Sequence, residues 1–344
     1  MTTNNKIINK TNLTKKLKQE AIYYTPKEAF INIFKDICAG VDLSKARNIY
    51  DPTCGVGNLF YVADDVLQKP DLPKFGQDIN LDQLQIAKHN HPSLRFACAD
   101  VLLEPAYFED EADLNNPLAA QNSKFDLIVA NYPFSIGWQP DELKDDPRFR
   151  VAPALAPKSK ADYAFLLHIV HMLVAGGVAV VICFPGILYR GNAEAKIRRY
   201  LVEQGLIHKI YSIKAGTFED TTINTVALLI RKPAQKQQPL IEKIEFKDEN
   251  DNYFSIAVTD VLADTGCTLS PSKYSPKEEK PAPTAAEIIA LNDQVRASLV
   301  NRLMQDLELD IWLQLTLQNR SKAQVLAFLF MIRRNIRNLA RSLL

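Results

Sequence analysis

The sequence of 344 residues predicts an α/β protein: a seven-stranded, doubly wound sheet, mostly parallel with an antiparallel last strand, and a C-terminal helical appendage. Three observations carry that prediction. Short apolar runs alternate with amphipathic stretches from about residue 46 to residue 213, the order that puts helices on both faces of a parallel sheet. Three successive predicted strands finish on Asp51, Asp78 and Asp100, which collects carboxylates at one edge. The connection between the sixth and seventh strands is too short for a helical crossover, so those two pair antiparallel.

Composition narrows the class. With 47% hydrophobic residues the chain can bury a full core, and its net charge of +1 gives no global basic field for nucleic acid. The cysteines Cys38, Cys54, Cys98, Cys183 and Cys267 are odd in number and show no CxxC spacing, which excludes a disulfide framework and fits a reducing compartment. No apolar run reaches the ~20 residues of a membrane span, so no membrane is expected and the predicted location is cytoplasmic.

The elements follow in order. Residues 1–20 are polar and form an N-terminal arm. In YYTPKEAFINIFKDIC, Thr25 is a suitable N-cap, Pro26 takes the first helical position and Glu28 lies in the first turn. Phe30, Ile33, Phe34 and Ile37 then share one face. Residues 46–67 predict a strand ending at Asp51, a loop, and a helix from about Asn58. In that loop Gly55 and Gly57 permit positive φ and close approach of a ligand to the backbone. Asp51 can accept from a ligand's amine or order the loop through the loop's own N–H groups. The pattern is neither a full GxGxxG nor a P-loop, which disfavours a phosphate and favours a smaller zwitterionic nucleoside. A ligand-free strand–helix turn gives the same glycines.

The second strand (residues 74–80) ends at Asp78, about 27 residues after the first acid, where a carboxylate binds a ribose diol in dinucleotide folds. Ile79 beside it offers an apolar face to an adenine. A helix over residues 81–90 and a strand over 94–100 follow, and Asp100 is placed to accept from an exocyclic adenine amine. In FDLIVANYPF, Phe125 to Ala130 read as a strand buried on both faces. Asn131 then brings an acceptor and a donor, and Tyr132, Pro133 and Phe134 bring rings, to the carboxyl edge. An ordinary Asn-Pro turn remains the alternative.

Residues 135–160 hold Pro140, Pro147, Pro153 and Pro157 in a long loop able to reach over a macromolecule. A buried helix over residues 161–177 is expected to stop at Gly176 and Gly177. Strands over 178–184, 208–213 and 224–232 and a helix from about Asn192 to Gly205 complete the sheet. His89 with His91, and His168 with His171, lack completing ligands, so no metal is expected. Residues 233–283 form a polar extension with a hairpin around IEKIEFKDENDNYFSI, and a linker. Over residues 284–344, Thr284 and Glu287 make a capping box, and Val325, Leu329, Ile332, Ile336, Leu339 and Leu343 form a coiled-coil-like stripe. That stripe packs on its own domain or docks on a partner.

Taken together, these motifs resemble the Rossmann-like class I S-adenosylmethionine-dependent methyltransferases, and within them the modification subunit of type I restriction-modification systems. The resemblance covers residue 21 to the LSPSKY of residues 269–274, with the catalytic domain over 21–232. It implies that Tyr24, Thr25 and Pro26 contact the methionine end of S-adenosylmethionine. It assigns the DPxCGxG loop to Asp51, Pro52, Cys54, Gly55 and Gly57, and acidic strand ends to Asp78 and Asp100. The NPPF motif matches Asn131, Pro133 and Phe134, with Tyr132 where the family has proline, a position used through its backbone carbonyl. The implied reaction is methyl transfer to N6 of a flipped-out adenine in double-stranded DNA, beside a sequence-specificity subunit and a restriction nuclease subunit. The large helical domain that precedes the catalytic domain in such subunits is not expected among these residues. Methylation of a glutamine amide or an RNA base uses the same motif and stays open, as does a catalytically weak cofactor-binding subunit.

Overall fold

The computed structural model describes residues 27–106, 108, 124–217, 224–234 and 241–275, with isolated helical positions at 289, 292, 294 and 298. Tyr24, Thr25 and Pro26, the arm of residues 1–20, the capping box and the stripe from Val325 to Leu343 lie outside the described residues, so the expected C-terminal appendage does too. The chain divides into two compact units, Met1–Ser275 and Pro276–Leu344, and the first carries the sheet.

Helix α1 (Lys27–Ile37) turns Phe30, Phe34 and Ile37 into the core, as their spacing predicts. It is followed by β1 (Ile49–Asp51), α2 (Asn58–Leu67), β2 (Lys74–Asp78), α3 (Leu81–Asn90), β3 (Arg95–Cys98) and β4 (Phe125–Asn131). Next come α4 (Asp162–Met172), β5 (Leu173–Cys183), α5 (Asn192–Glu203), β6 (Ile207–Ile213), β7 (Thr225–Arg231), β8 (Lys243–Lys247) and β9 (Tyr253–Ala257). Two short helices close the unit, α6 (Val258–Ala263) and α7 (Pro271–Tyr274).

The sheet has nine strands in the order β3-β2-β1-β4-β5-β7-β6-β8-β9. Its first five strands are parallel, and β7 runs antiparallel between β5 and β6. This corrects the expected count of seven: the hairpin β8–β9, predicted as part of a polar extension, joins the sheet through parallel pairing of β8 with β6. Its alternating charges disguise an edge ribbon, because only Ile244 and Phe246 need to face the core.

Strand β4 is buried on both faces. Leu127 and Val129 enter the core that holds α1 and α2, while Ile128 and Ala130 enter the core that holds α4. The chain lays β1, β2 and β3 outward in one direction and returns to β4 on the other side of β1. That reversal opens a crevice at the carboxyl edge between β1 and β4. The register Tyr50↔Ile128 brings Asp51 and Asn131 to that same edge.

Two boundaries differ from expectation. Helix α4 ends at Met172, ahead of the glycine pair, because Leu173 is already extended and pairs with Phe125. The register then jumps to Leu127↔Val178, and Gly176 (φ +82°) and Gly177 lie in the resulting bulge. A Cβ on Gly177 would stand 3.0 Å from the Phe125 carbonyl oxygen, so the second glycine serves close strand approach and not a helix stop. Strand β3 ends at Cys98, which leaves Asp100 in the turn beyond it. Among the described residues no helix is long and apolar enough to cross a membrane.

Candidate active site

The crevice is a cleft of about 620 Å³. Asp51, Pro52, Gly55, Asp78, Ile79, Asp100, Asn131 and Pro133 all line it, so the structure gathers most of the predicted set in one place. Its volume lies within the ordinary range for small-molecule sites.

One wall is built by strand ends and the loop after β1. The Asp51 carboxylate is 1% exposed and accepts the Thr53 N–H at 3.0 Å. Burial pushes its pKa up to about 8, against the Thr53 hydrogen bond and with help from the neighbouring Asp78 charge. Asp78 spans two backbone donors, Gly55 N–H to Oδ2 and Asn80 N–H to Oδ1, both at 2.9 Å. Asp100 accepts the Leu102 N–H at 2.9 Å. Each acid therefore orders the turn that follows its own strand or an adjoining one.

The glycines act differently from each other. Gly55 has φ +50°, and a Cβ there would meet Gln83 Oε1 at 2.9 Å on the cleft side. Gly57 has φ +85° but lies outside the cleft lining: a Cβ would strike the His91 ring at 2.8 Å. His91 is buried and donates from Nε2 to the Gly57 carbonyl at 2.9 Å. Gly57 thus sets the α2 start against α3. Gly76, which no motif marked, leaves room for Cys54, whose sulfur would be 2.7 Å from an added Cβ. Ile79, at 74% exposed, presents a bare apolar face at the rim.

The neighbouring wall is the turn after β4. Asn131 and Pro133 line the cleft beside Ile136 and Phe165. Tyr132 turns away into the core, fully buried and stacked on Phe165 with centroids 4.9 Å apart and planes 8° from parallel. Its hydroxyl faces the Cys183 thiol without a hydrogen bond of acceptable geometry among the described residues. Burial raises its pKa well above that of an ordinary phenol, so the ring stays neutral. Phe134 is half-buried, edge-on to Tyr132 at 6.1 Å, and is not part of the lining. Phe165 and Ile136 stand where Phe134 was expected. Phe165 carried no signal in the sequence, since a phenylalanine inside an apolar helix reads as core.

The proline-rich loop is folded onto the body. Arg148 is wholly buried; it donates to the Val101 and Leu102 carbonyls at 2.7 Å each and pairs with Asp146 at 2.8 Å. It also meets His168 Nδ1 at 3.2 Å. Because arginine only donates, His168 is the neutral Nε2–H tautomer and gives that proton to the Tyr50 hydroxyl, 3.2 Å away. Burial, then Arg148, holds its pKa well below the usual histidine value. Among the described residues no group of three or more histidine, cysteine or acidic side chains is disposed to hold a metal.

Comparison with known proteins bears on this geometry. The chain is 32% identical over 234 residues to the MpnII methylase subunit of a type I restriction enzyme from Mycoplasma pneumoniae, covering 63% of this chain and 41% of that one. It is 26% identical over 239 residues to the EcoEI methylase subunit of Escherichia coli, covering 67% and 46%. A crystal structure of the type I restriction-modification methyltransferase subunit from Streptococcus thermophilus superposes with a TM-score of 0.53 at 28% identity, over 70% of this chain and 52% of that one. A modification subunit from Vibrio vulnificus, 16% identical with a TM-score of 0.54, shares the fold over 73% of this chain and 59% of its own. The chain spans less than half the length of the two curated relatives described. The profile of the N-6 DNA Methylase family matches residues 7–281, about four-fifths of the chain, and with the crevice assembled at the expected strand ends, this protein belongs to that family.

Proposed function

We propose that this chain transfers a methyl group from S-adenosylmethionine to the exocyclic N6 of an adenine turned out of double-stranded DNA. One observation carries the reading: Asn131, at the tip of β4, faces the same cleft as Asp51, Gly55, Asp78 and Asp100. The acceptor for an amino group and the carboxylates for a nucleoside therefore line one crevice.

The cleft fits the cofactor on its own features. Gly55 holds φ +50° and carries no side chain, so its backbone can approach a ligand closely. Asp78, held by two backbone donors, would accept from a ribose diol, and Ile79 would offer a flat apolar contact. Asp51, nearly closed off from water, is stabilised as an anion by a ligand's positive amino group. Asp100 would accept from an adenine amine. When bound, the cofactor supplies an electrophilic methyl on a sulfonium.

The chain's own part is to present the nitrogen. An aryl amine is a poor nucleophile because its lone pair is delocalised into the ring. The Asn131 side-chain carbonyl and the Tyr132 backbone carbonyl would each accept one amine hydrogen and favour a pyramidal nitrogen. Substituting tyrosine for proline leaves that carbonyl in place, since the Tyr132 ring packs inward on Phe165. Fixed acceptors and orientation then supply the gain without a strong base. Pro133, Ile136 and Phe165 form the apolar wall against which a planar ring can lie, and leaving the duplex stack is required to reach it.

The relatives are named as subunits of type I restriction enzymes, which supports placing this chain beside a sequence-specificity subunit and a restriction subunit on DNA. The test is Asn131→Ala in a labelled-methyl assay on adenine-unmethylated duplex DNA, with cofactor binding followed by calorimetry. Transfer is expected to fall by about 10²–10³-fold while the cofactor still binds. Undiminished transfer would sink the assignment.

A further inference from the structure

Ser135 follows directly on the Asn131–Phe134 turn and has φ +53°, a left-handed conformation unusual for serine. Something must hold it there, and the local sequence does not. Its N–H donates to Asp162 Oδ1 at 3.2 Å, and Asp162 is wholly buried at the start of α4. Its hydroxyl accepts from Arg190 at 3.0 Å, and the same guanidinium reaches Asp162 at 3.5 Å and Glu194 at 3.3 Å. Both faces of the serine are thereby clamped.

Arg190 sits in a fitted slot. Its guanidinium carbon lies 5.2 Å from the centre of the Phe184 ring. Gly186 is the floor: a Cβ there would come within 2.5 Å of Arg190 Nε and 2.6 Å of its terminal nitrogen. Behind it, buried Arg198 donates to the Arg190 carbonyl at 3.0 Å and to the Cys267 carbonyl at 2.6 Å. The guanidinium is thus held by Ser135, by Asp162 of α4 and by Glu194 of α5, beside the Phe184 ring just after β5, yet touches none of the cleft-lining residues named above.

We propose that Arg190 is a positioning residue for the Asn131–Phe134 turn, acting through Ser135 and Asp162, so that the Asn131 and Tyr132 carbonyls keep the spacing an amino nitrogen requires. The catalytic consequence rests on the proposed methyl transfer, while the structural claim stands by itself. An arginine is suited to this task because its planar fork meets a hydroxyl and two carboxylates at once, which an ammonium cannot match. Removing it would leave an unusual serine conformation held by the Asp162 bond alone, itself deprived of its arginine partner, so the turn would relax.

The experiment uses the full chain as wild type, Arg190→Gln, Arg190→Lys and Ser135→Ala. Backbone hydrogen exchange is read on peptides covering residues 131–137, and methyl transfer to unmethylated duplex DNA is run in parallel. Arg190→Gln is expected to speed exchange in that segment about tenfold or more, and to lower kcat about 10–100-fold with the cofactor dissociation constant unchanged. Arg190→Lys should recover part of both, and Ser135→Ala should shift both less in the same direction. Unchanged exchange in Arg190→Gln and Ser135→Ala overturns the proposal; if Arg190→Gln does not fold, unchanged exchange in Ser135→Ala alone does so. Wild type that transfers no methyl while the variants still loosen the turn refutes the assigned reaction and supports the clamp.

Discussion

The two walls of the cleft are held in opposite ways. On the wall carrying the acidic residues, Asp51 takes the N–H of residue 53, Asp78 that of residue 80 and Asp100 that of residue 102. Each carboxylate thereby closes a turn two residues ahead. On the wall carrying Asn131, the turn is clamped by Asp162, 27 residues from Ser135, and by Arg190, 55 residues away. Apart from the Gly55 N–H that Asp78 also holds across the strand ends, the bonds of the first wall are local, so that wall is largely a property of short peptide stretches. The second exists only once α4 and the segment after β5 have packed against β4. A pocket can therefore have one side written locally and another assembled from distant parts.

The largest test of that contrast is Arg148→Met. Arg148 fastens the distant proline-rich loop to the Val101 and Leu102 carbonyls, beside the locally made Asp100 turn. Removing it leaves those carbonyls and His168 without their donor and Asp146 with only the residue-148 backbone N–H, and urea unfolding should show a loss of about 3–5 kcal/mol. A loss below about 1 kcal/mol would mean that the local turn suffices.

Asp51 supplies a pH test. Its folded pKa of about 8 exceeds that of a carboxyl in the unfolded chain, so between those values the folded state holds the extra proton. Its contribution is full below the unfolded value and is lost as pH rises toward about 8. The stability of wild type relative to Asp51→Asn should fall by about 3–4 kcal/mol between about pH 5 and about pH 8. A flat difference would show that the buried acid is already ionised.

Gly57→Ala probes the seam between α2 and α3. A left-handed φ and the His91 ring both oppose a methyl, and a loss of about 1–2 kcal/mol in thermal unfolding is expected. The smallest effect belongs to Asp78→Ala. Calorimetry should show cofactor affinity about tenfold weaker, near 1.4 kcal/mol, with Asn131-dependent chemistry untouched at saturating cofactor. Equal affinity would remove Asp78 from the proposed ribose contact.

Much of this was legible from residues alone. The doubled burial of β4, the positive φ of Gly55 and Gly57, and the carboxylates at the sheet edge all follow from apolar spacing and backbone sterics. The positions missed share one feature: their partners lie far along the chain. Phe134, one of the rings expected at the carboxyl edge, is taken up between the two cores, and Phe165 from α4 lines the cleft. The glycine pair at residues 176–177 reads as a helix stop, yet serves a bulge that β4 imposes. The polar hairpin β8–β9 reads as an appendage because an edge ribbon needs few apolar residues.

By itself the sequence determined the order of strands and helices, the glycine loop, the acidic strand ends and the membership of the N-6 DNA methylase family. Those depend on side-chain periodicity and on φ restrictions that act within a few residues. Only the tertiary structure decided which ring faces the cleft, that β8 and β9 extend the sheet, and that Arg148 and Arg190 reach across to fix its edges. A buried guanidinium finds its acceptors through packing of the whole core, and no local pattern of residues encodes where those acceptors will be.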